Sequence, residues 1–221
     1  MGQTKRERKI TANGGKRSFA YAQDDKNGGK RSFAYAQDDK TKTKNMGLIK
    51  KVRGHEPQIG ENTFIAETAV LIGDVTVGRD CSIWYNAVLR GDVNKIVIGD
   101  RTNIQDGTVI HTTFDESKHP SEAHIGNDVS IGHNATIHGA VIEDKCLIGM
   151  GATVLDNAVV ATGCIVAANA LVTANSRLEP NSLYAGIPAK KIKDVTEEQR
   201  AEIIERTARD YRLYASWFTE E

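Results

Sequence analysis

Residues 142–172 read IEDKCLIGMGATVLDNAVVATGCIVAANALV, and Ile142, Ile148, Val154, Val160, Val166 and Val172 fall six apart without a break. Six matches neither the helical period of about 3.6 nor the alternation of a long strand. It is the period of a solenoid in which each short strand supplies one large inward side chain and the chain then turns. The same clock runs through Ile59–Ile65–Leu71–Val77–Ile83–Leu89, through Ile98–Ile104–Ile110 and through Ile125–Ile131–Ile137. Its large positions are mostly β-branched, as a packed pleated ladder requires. The expected fold is an all-β solenoid, a parallel β-helix of about six triangular coils of three hexapeptides each. The third strands then start near Leu71, Leu89, Ile110, Ile137, Val154 and Val172.

The breaks in the clock fall into order on this grouping. There are three extra residues between Leu89 and Ile98, nine between Ile110 and Ile125, and one too few between Ile137 and Ile142. All lie at one corner, after the third strand, and insertions confined to one edge of a solenoid mark its functional side. That edge carries histidines. His111 directly follows Ile110 and His138 directly follows Ile137, so the two stack on successive coils at about the 4.8 Å strand spacing, close enough to share a metal ion. His133 lies two places into a second strand and faces another way. It reaches the same ion if a second copy packs alongside, and three imidazoles plus water make an open catalytic zinc site. Arg90 lies one coil below His111, Asp106 one coil below His133, Asp92 in the loop after Arg90, and Gln105 at the start of a strand in the histidine coil. These polar groups suit orienting water, holding a small anion or locking subunits, with an Arg90–Asp106 bridge between subunits expected. His55, His119 and His124 read as ordinary surface histidines.

Composition narrows the class. The chain has 221 residues and zero formal net charge, but residues 1–45 carry twelve Lys/Arg against five acids, leaving an acidic main body. That body lacks the basic footprint of a nucleic-acid binder. No apolar run approaches the ~20 residues of a membrane span, and MGQTKRERKI is not followed by the apolar core of a signal peptide. Cys81, Cys146 and Cys164 are distant from one another, without a CxxC, and occupy small inward positions. A cytoplasmic protein with reduced thiols is expected. The stretch NGGKRSFAYAQDDK occurs twice, unchanged, at Asn13–Lys26 and Asn27–Lys40; with little to bury it reads as a disordered extension over 1–45. The β-helix domain is expected over 46–190. Gly186 and Pro188 then break the repeat, and a C-terminal α-helix over 191–221 is expected to pack along the solenoid. Thr196 and Gln199 form a capping box, and Ile204, Ala208, Tyr211, Ala215 and Phe218 fall at helical spacing.

RGD at 90–92, NIQDGTVIH at 103–111, IGHNATIHG at 131–139, IGMGA at 148–152 and YAGIPAK at 184–190 resemble the γ-class carbonic anhydrase family, from about Met46 to the C-terminus. The resemblance implies a left-handed β-helix and a homotrimer with a metal at each subunit interface. His111 and His138 would come from one chain and His133 from the next. Zn²⁺ is implied, with Fe²⁺ or Co²⁺ as alternatives that suit a three-histidine set. Arg90, Asp92, Gln105 and Asp106 match the family's interface and active-site residues, and Tyr184 its substrate-side tyrosine. The implied reaction is attack of a metal-bound hydroxide on CO₂ to give bicarbonate, with Gln105 orienting the hydroxide or polarising the substrate. One departure concerns proton export. Val93 follows Asp92 where well-known active members carry an acid, and Asp115, Glu116, His119 and His124 are the groups available to substitute.

Three other readings stand beside this one: a metal-dependent acyl-CoA thioesterase on the same site, a hexapeptide acyltransferase with a histidine base, and a catalytically weak structural homologue serving as an assembly subunit.

Overall fold

A computed structural model describes residues 47–114 and 121–219. The expected clock is the register of the structure. On the first face, parallel pairing stacks Ile59, Val77, Ile98, Ile125, Ile142, Val160 and Leu178 in one column. On the second it stacks Ile65, Ile83, Ile104, Ile131, Ile148, Val166 and Tyr184. On the third it stacks Ile49, Leu71, Leu89, Ile110, Ile137, Val154 and Val172. Most of these side chains have no solvent exposure, and they form one continuous core. The fold is a left-handed parallel β-helix.

There are seven rungs on each face, one more than expected. Three short segments supply the difference: Leu48–Lys50 pairs parallel with Val70–Ile72 on the third face, Arg177–Leu178 with Val159–Val160 on the first, and Ser182–Ala185 with Ile165–Val166 on the second. Leu178 and Tyr184 stand six and twelve residues after Val172 and continue the clock past the last expected coil, whereas Leu48–Lys50 lies off it, with Ile49 ten residues before Ile59. Residues 191–194 also depart from expectation. Lys190–Asp194 is a strand, antiparallel to Ser182–Ala185 and fully exposed. It covers the last rung with charge, a protection against edge-to-edge pairing.

The helix begins at Glu197 rather than 191. Thr196 is its N-cap, and the capping box with Gln199 is present. An α-helical turn at Glu197–Gln199 passes into a π-helical stretch at Arg200–Glu205 and then into Arg206–Ser216. Ile204, Ala208 and Ala215 are buried. The helix lies on the second face, where the Trp84 ring centroid is 5.5 Å from Tyr211 and 5.6 Å from Phe218, both edge-on. No helix among the described residues is long and apolar enough to cross a membrane. The duplicated extension lies outside the described residues.

Candidate metal centre

His111 ends the strand Val109–His111 and His138 ends Thr136–His138. The two residues are direct register partners. Because Ile110 and Ile137 point inward, strand alternation turns both imidazoles outward. Nδ1 of His111 stands 3.3 Å from Nε2 of His138, with the rings inclined at 63°.

Each histidine is held from its far side by a carboxylate. Asp92 Oδ1 is 3.1 Å from His111 Nε2, and Asp92 Oδ2 accepts a 2.8 Å bond from Arg90 Nη1. Both oxygens of Asp156 lie 3.0 Å from His138 Nδ1, and its Oδ1 also accepts from the Thr113 hydroxyl at 2.7 Å. A carboxylate beside a neutral imidazole fixes the N–H at that nitrogen. The two remaining lone pairs then face each other across the 3.3 Å gap, which favours a cation between them. Two nitrogens each 2.0–2.1 Å from a tetrahedral ion would lie about 3.3 Å apart. The pair therefore fits a divalent metal in spacing as well as in donor type.

The electrostatics agree. Burial pulls the His111 pKa below its ordinary value, against Asp92, which raises it; the proximity of Arg90 lowers it further. Burial thus favours the neutral ring, the form a ligand needs. Partial burial pushes Asp92 and Asp156 upward, but hydrogen bonds outweigh it in both. Arg90 and His111 carry Asp92 below the usual carboxylate value, and Thr113 and His138 do the same for Asp156.

A second cluster lies at the opposite edge of the third face. Asp106 Oδ2 is 2.7 Å from His133 Nδ1, and the Tyr211 hydroxyl is 3.2 Å from His133 Nε2. Burial, followed by the charge of Asp106, pushes the Tyr211 pKa up to about 12, so its hydroxyl stays protonated. Gln105 is buried beside them. Its Nε2 donates to Asn103 Oδ1 at 3.0 Å, and Asn103 Nδ2 in turn donates to Ser130 Oγ at 2.7 Å.

The expected site residues therefore fall into two groups, Arg90–Asp92–His111–His138 and Gln105–Asp106–His133. Among the described residues no three His, Cys, Asp or Glu side chains of one chain form a metal cage. Within the chain Arg90 pairs with Asp92 and Asp106 with His133. Tyr184 belongs to neither group. It fills the inward column above Val166, and its hydroxyl accepts from the Glu179 N–H at 3.0 Å. Of the residues available for proton export, Asp115, Glu116 and His119 lie outside the described residues. His124 is paired with Glu122 at 2.6 Å. Glu122 lines a cavity of about 300 Å³ together with Asp92, Lys95, Arg53, His55 and Asp74.

Asp156, Thr113 and Tyr211 escaped the sequence reading as site residues. Register places Asp156 one rung above Gly139 at the histidine corner, but spacing does not say whether its carboxylate reaches the ring. Tyr211 lay in a helical stripe that periodicity assigns wholly to packing.

The model for the bacterial transferase hexapeptide (six repeats) matches residues 56–91, 122–154 and 139–174. A protein named "Probable carbonic anhydrase" from Methanocaldococcus jannaschii is 52% identical over 155 residues, covering 70% of this chain and 94% of that one. The protein named gamma carbonic anhydrase 1, mitochondrial, of Arabidopsis thaliana is 43% identical, over 70% of this chain and 56% of its own length. The chain belongs to the γ-class carbonic anhydrase family. Among solved structures, a hexapeptide transferase family protein from Anaplasma phagocytophilum superposes with a TM-score of 0.71 at 37% identity, covering 76% of this chain and 96% of that one. The carbonic anhydrases of this family are lyases, and a hexapeptide transferase family protein shares their scaffold, so side chains and not the fold decide the chemistry.

Proposed function

We propose that this chain hydrates CO₂ to bicarbonate at a metal centre shared between neighbouring subunits of a homotrimer. The observation that carries the reading is the facing pair His111–His138, two ring nitrogens 3.3 Å apart, with each imidazole backed by a carboxylate. His133 is the proposed third ligand, contributed by the next subunit. The third face runs between the two clusters: its strands leave the corner of Gln105, Asp106 and His133 and end at His111 and His138. Incomplete halves at opposite edges of one face call for a head-to-tail interface, which closes into a ring. The outward row of that face runs Leu48, Val70, Val88, Val109, Thr136, Thr153 and Leu171; its first four are apolar, with Leu48 and Val109 exposed at 56% and 39%, a strip suited to burial against a copy.

When bound, a divalent ion such as Zn²⁺, with Fe²⁺ or Co²⁺ also suiting the donors, supplies activation of water near neutral pH. The side chains do the rest. Asp92 and Asp156 hold protons at His111 Nε2 and His138 Nδ1 and keep the opposite nitrogens free to donate. Arg90 fixes Asp92. Asn103 takes one amide hydrogen of Gln105, which leaves the Gln105 carbonyl oxygen to accept from and orient a water. Hydration releases one proton for each bicarbonate formed. The cavity between Asp92 and Glu122, with His124 beyond, offers it a route to solvent. Three buried, unpaired thiols suit a reducing, cytoplasmic location.

Metal analysis of the purified protein, followed by assays of CO₂ hydration and acyl-CoA hydrolysis, tests the reading. Stoichiometric metal with hydration is expected. Absence of metal after both aerobic and anaerobic preparation overturns it, and metal with thioester turnover but no hydration selects the thioesterase instead. Acyl transfer without metal selects the acyltransferase.

A further inference from the structure

Asp156 and Asn157 sit at the corner one rung above His138, beside the nine-residue insertion that follows His111. Asp156 Oδ1 accepts from Thr113, at the start of that insertion, and Asn157 Oδ1 accepts from Ser121, near its end, at 3.2 Å. The Asn157 N–H donates to the Gly139 carbonyl at 2.7 Å, and the Gly139 N–H to the His111 carbonyl at 3.0 Å. The dipeptide thus fastens both ends of the insertion to the backbone carrying the histidines. Asp156 alone also reaches an imidazole, with both carboxylate oxygens 3.0 Å from His138 Nδ1. Gly139 makes the approach feasible: a Cβ there would stand 2.6 Å from Asp156 Oδ1.

From these contacts we infer that Asp156 is a positioning residue for the metal centre, setting the His138 tautomer and tying that ring to the base of the insertion through Thr113. The inference rests on the metal-centre reading for its consequence, though not for its geometry. With a carboxylate at Nδ1, His138 carries its proton there and offers Nε2 as a lone pair toward His111. Partners of this kind orient metal-bound histidines, and their loss weakens metal affinity by about 10- to 100-fold. Thr113 donates to the same oxygen and restrains the carboxylate. A change at Thr113 is therefore felt at His138 through Asp156.

Asp156→Asn is the discriminating variant, because it preserves shape while its amide N–H₂ can donate to His138 Nδ1 and drive the proton to Nε2. Nitrogen NMR of the metal-free full chain should find the Nδ1–H tautomer of His138 in the parent and the Nε2–H tautomer in Asp156→Asn. Competition for Zn²⁺ against a chromophoric chelator should give about 10- to 100-fold weaker binding for Asp156→Asn, a smaller loss for Thr113→Val, and partial recovery for Asp156→Glu. Circular dichroism and subunit mass, unchanged, separate this effect from misfolding. An unchanged tautomer together with zinc affinity within twofold of the parent overturns the inference. If the parent itself binds no zinc, the functional reading fails, and the tautomer decides alone: inversion in Asp156→Asn upholds the positioning role, and no inversion removes it.

Discussion

His111 and His138 are register partners on adjacent rungs, and a ring nitrogen of each faces the other at 3.3 Å. Both side chains lie outside the aliphatic core, so each ring should be removable without loss of the solenoid. His111→Ala and His138→Ala are expected to be purified with substoichiometric metal. Each metal-free variant should stay within about 1 kcal/mol of the metal-free parent, the worth of one hydrogen bond. Metal content and urea denaturation check the two halves of that expectation.

His133 stands with Asp106 and Tyr211 and away from the pair. If a neighbouring subunit supplies it, His133→Ala and His111→Ala chains each spoil different halves of the centre. Co-refolded, they should regain part of the parent metal content through interfaces built from two intact halves. Recovery of none would show that His133 does not complete the pair.

Gly139 adopts φ +52°, and a Cβ there would stand 2.5 Å from Ser121 Cβ and 2.6 Å from Asp156 Oδ1. Gly139→Ala combines a left-handed backbone with a displaced carboxylate. It should cost about 1–3 kcal/mol of stability and weaken Zn²⁺ binding along with it. A thermal melt and the chelator competition report both, and parent-like values in both would mean that the corner has room to relax.

Acid should destabilise the metal-free protein in two stages. His111 has its pKa lowered, by burial first. As pH falls through the ordinary histidine value near 6.5, the unfolded chain binds a proton that the native state resists, and stability drops. Asp92 and Asp156 have pKa values below the ordinary 3.8. Their contribution is present above that value and is lost as pH falls from it through the depressed native values. Urea titrations of the metal-free chain from pH 7 to 3 should show both limbs, with the lower one reduced in Asp92→Asn. A stability that stays flat down to pH 3 would contradict these shifts.

The six-residue period was enough to define the register, because a triangular coil holds one large side chain per strand and any slip would turn that residue out to water. Once Ile110 and Ile137 are inward, His111 and His138 must be adjacent and outward, and His133 must lie on a different edge. The same logic ran out where the period stopped. Leu48–Lys50 and Lys190–Asp194 take their strand conformation from the rungs they cover. Tyr184, twelve residues after Val172, is still on the period and turns inward in the Val166 column.

The sequence by itself determined the solenoid, its columns and the stacked pair, all consequences of local spacing repeated along the chain. Only the tertiary structure decided which atoms hold those histidines. Asp156 reaches back across a corner from the rung above, and Tyr211 arrives at His133 on a helix that follows the last rung. Neither contact is periodic. Each depends on how far a turn or a docked helix carries a side chain in space, a distance that no residue count along the chain encodes.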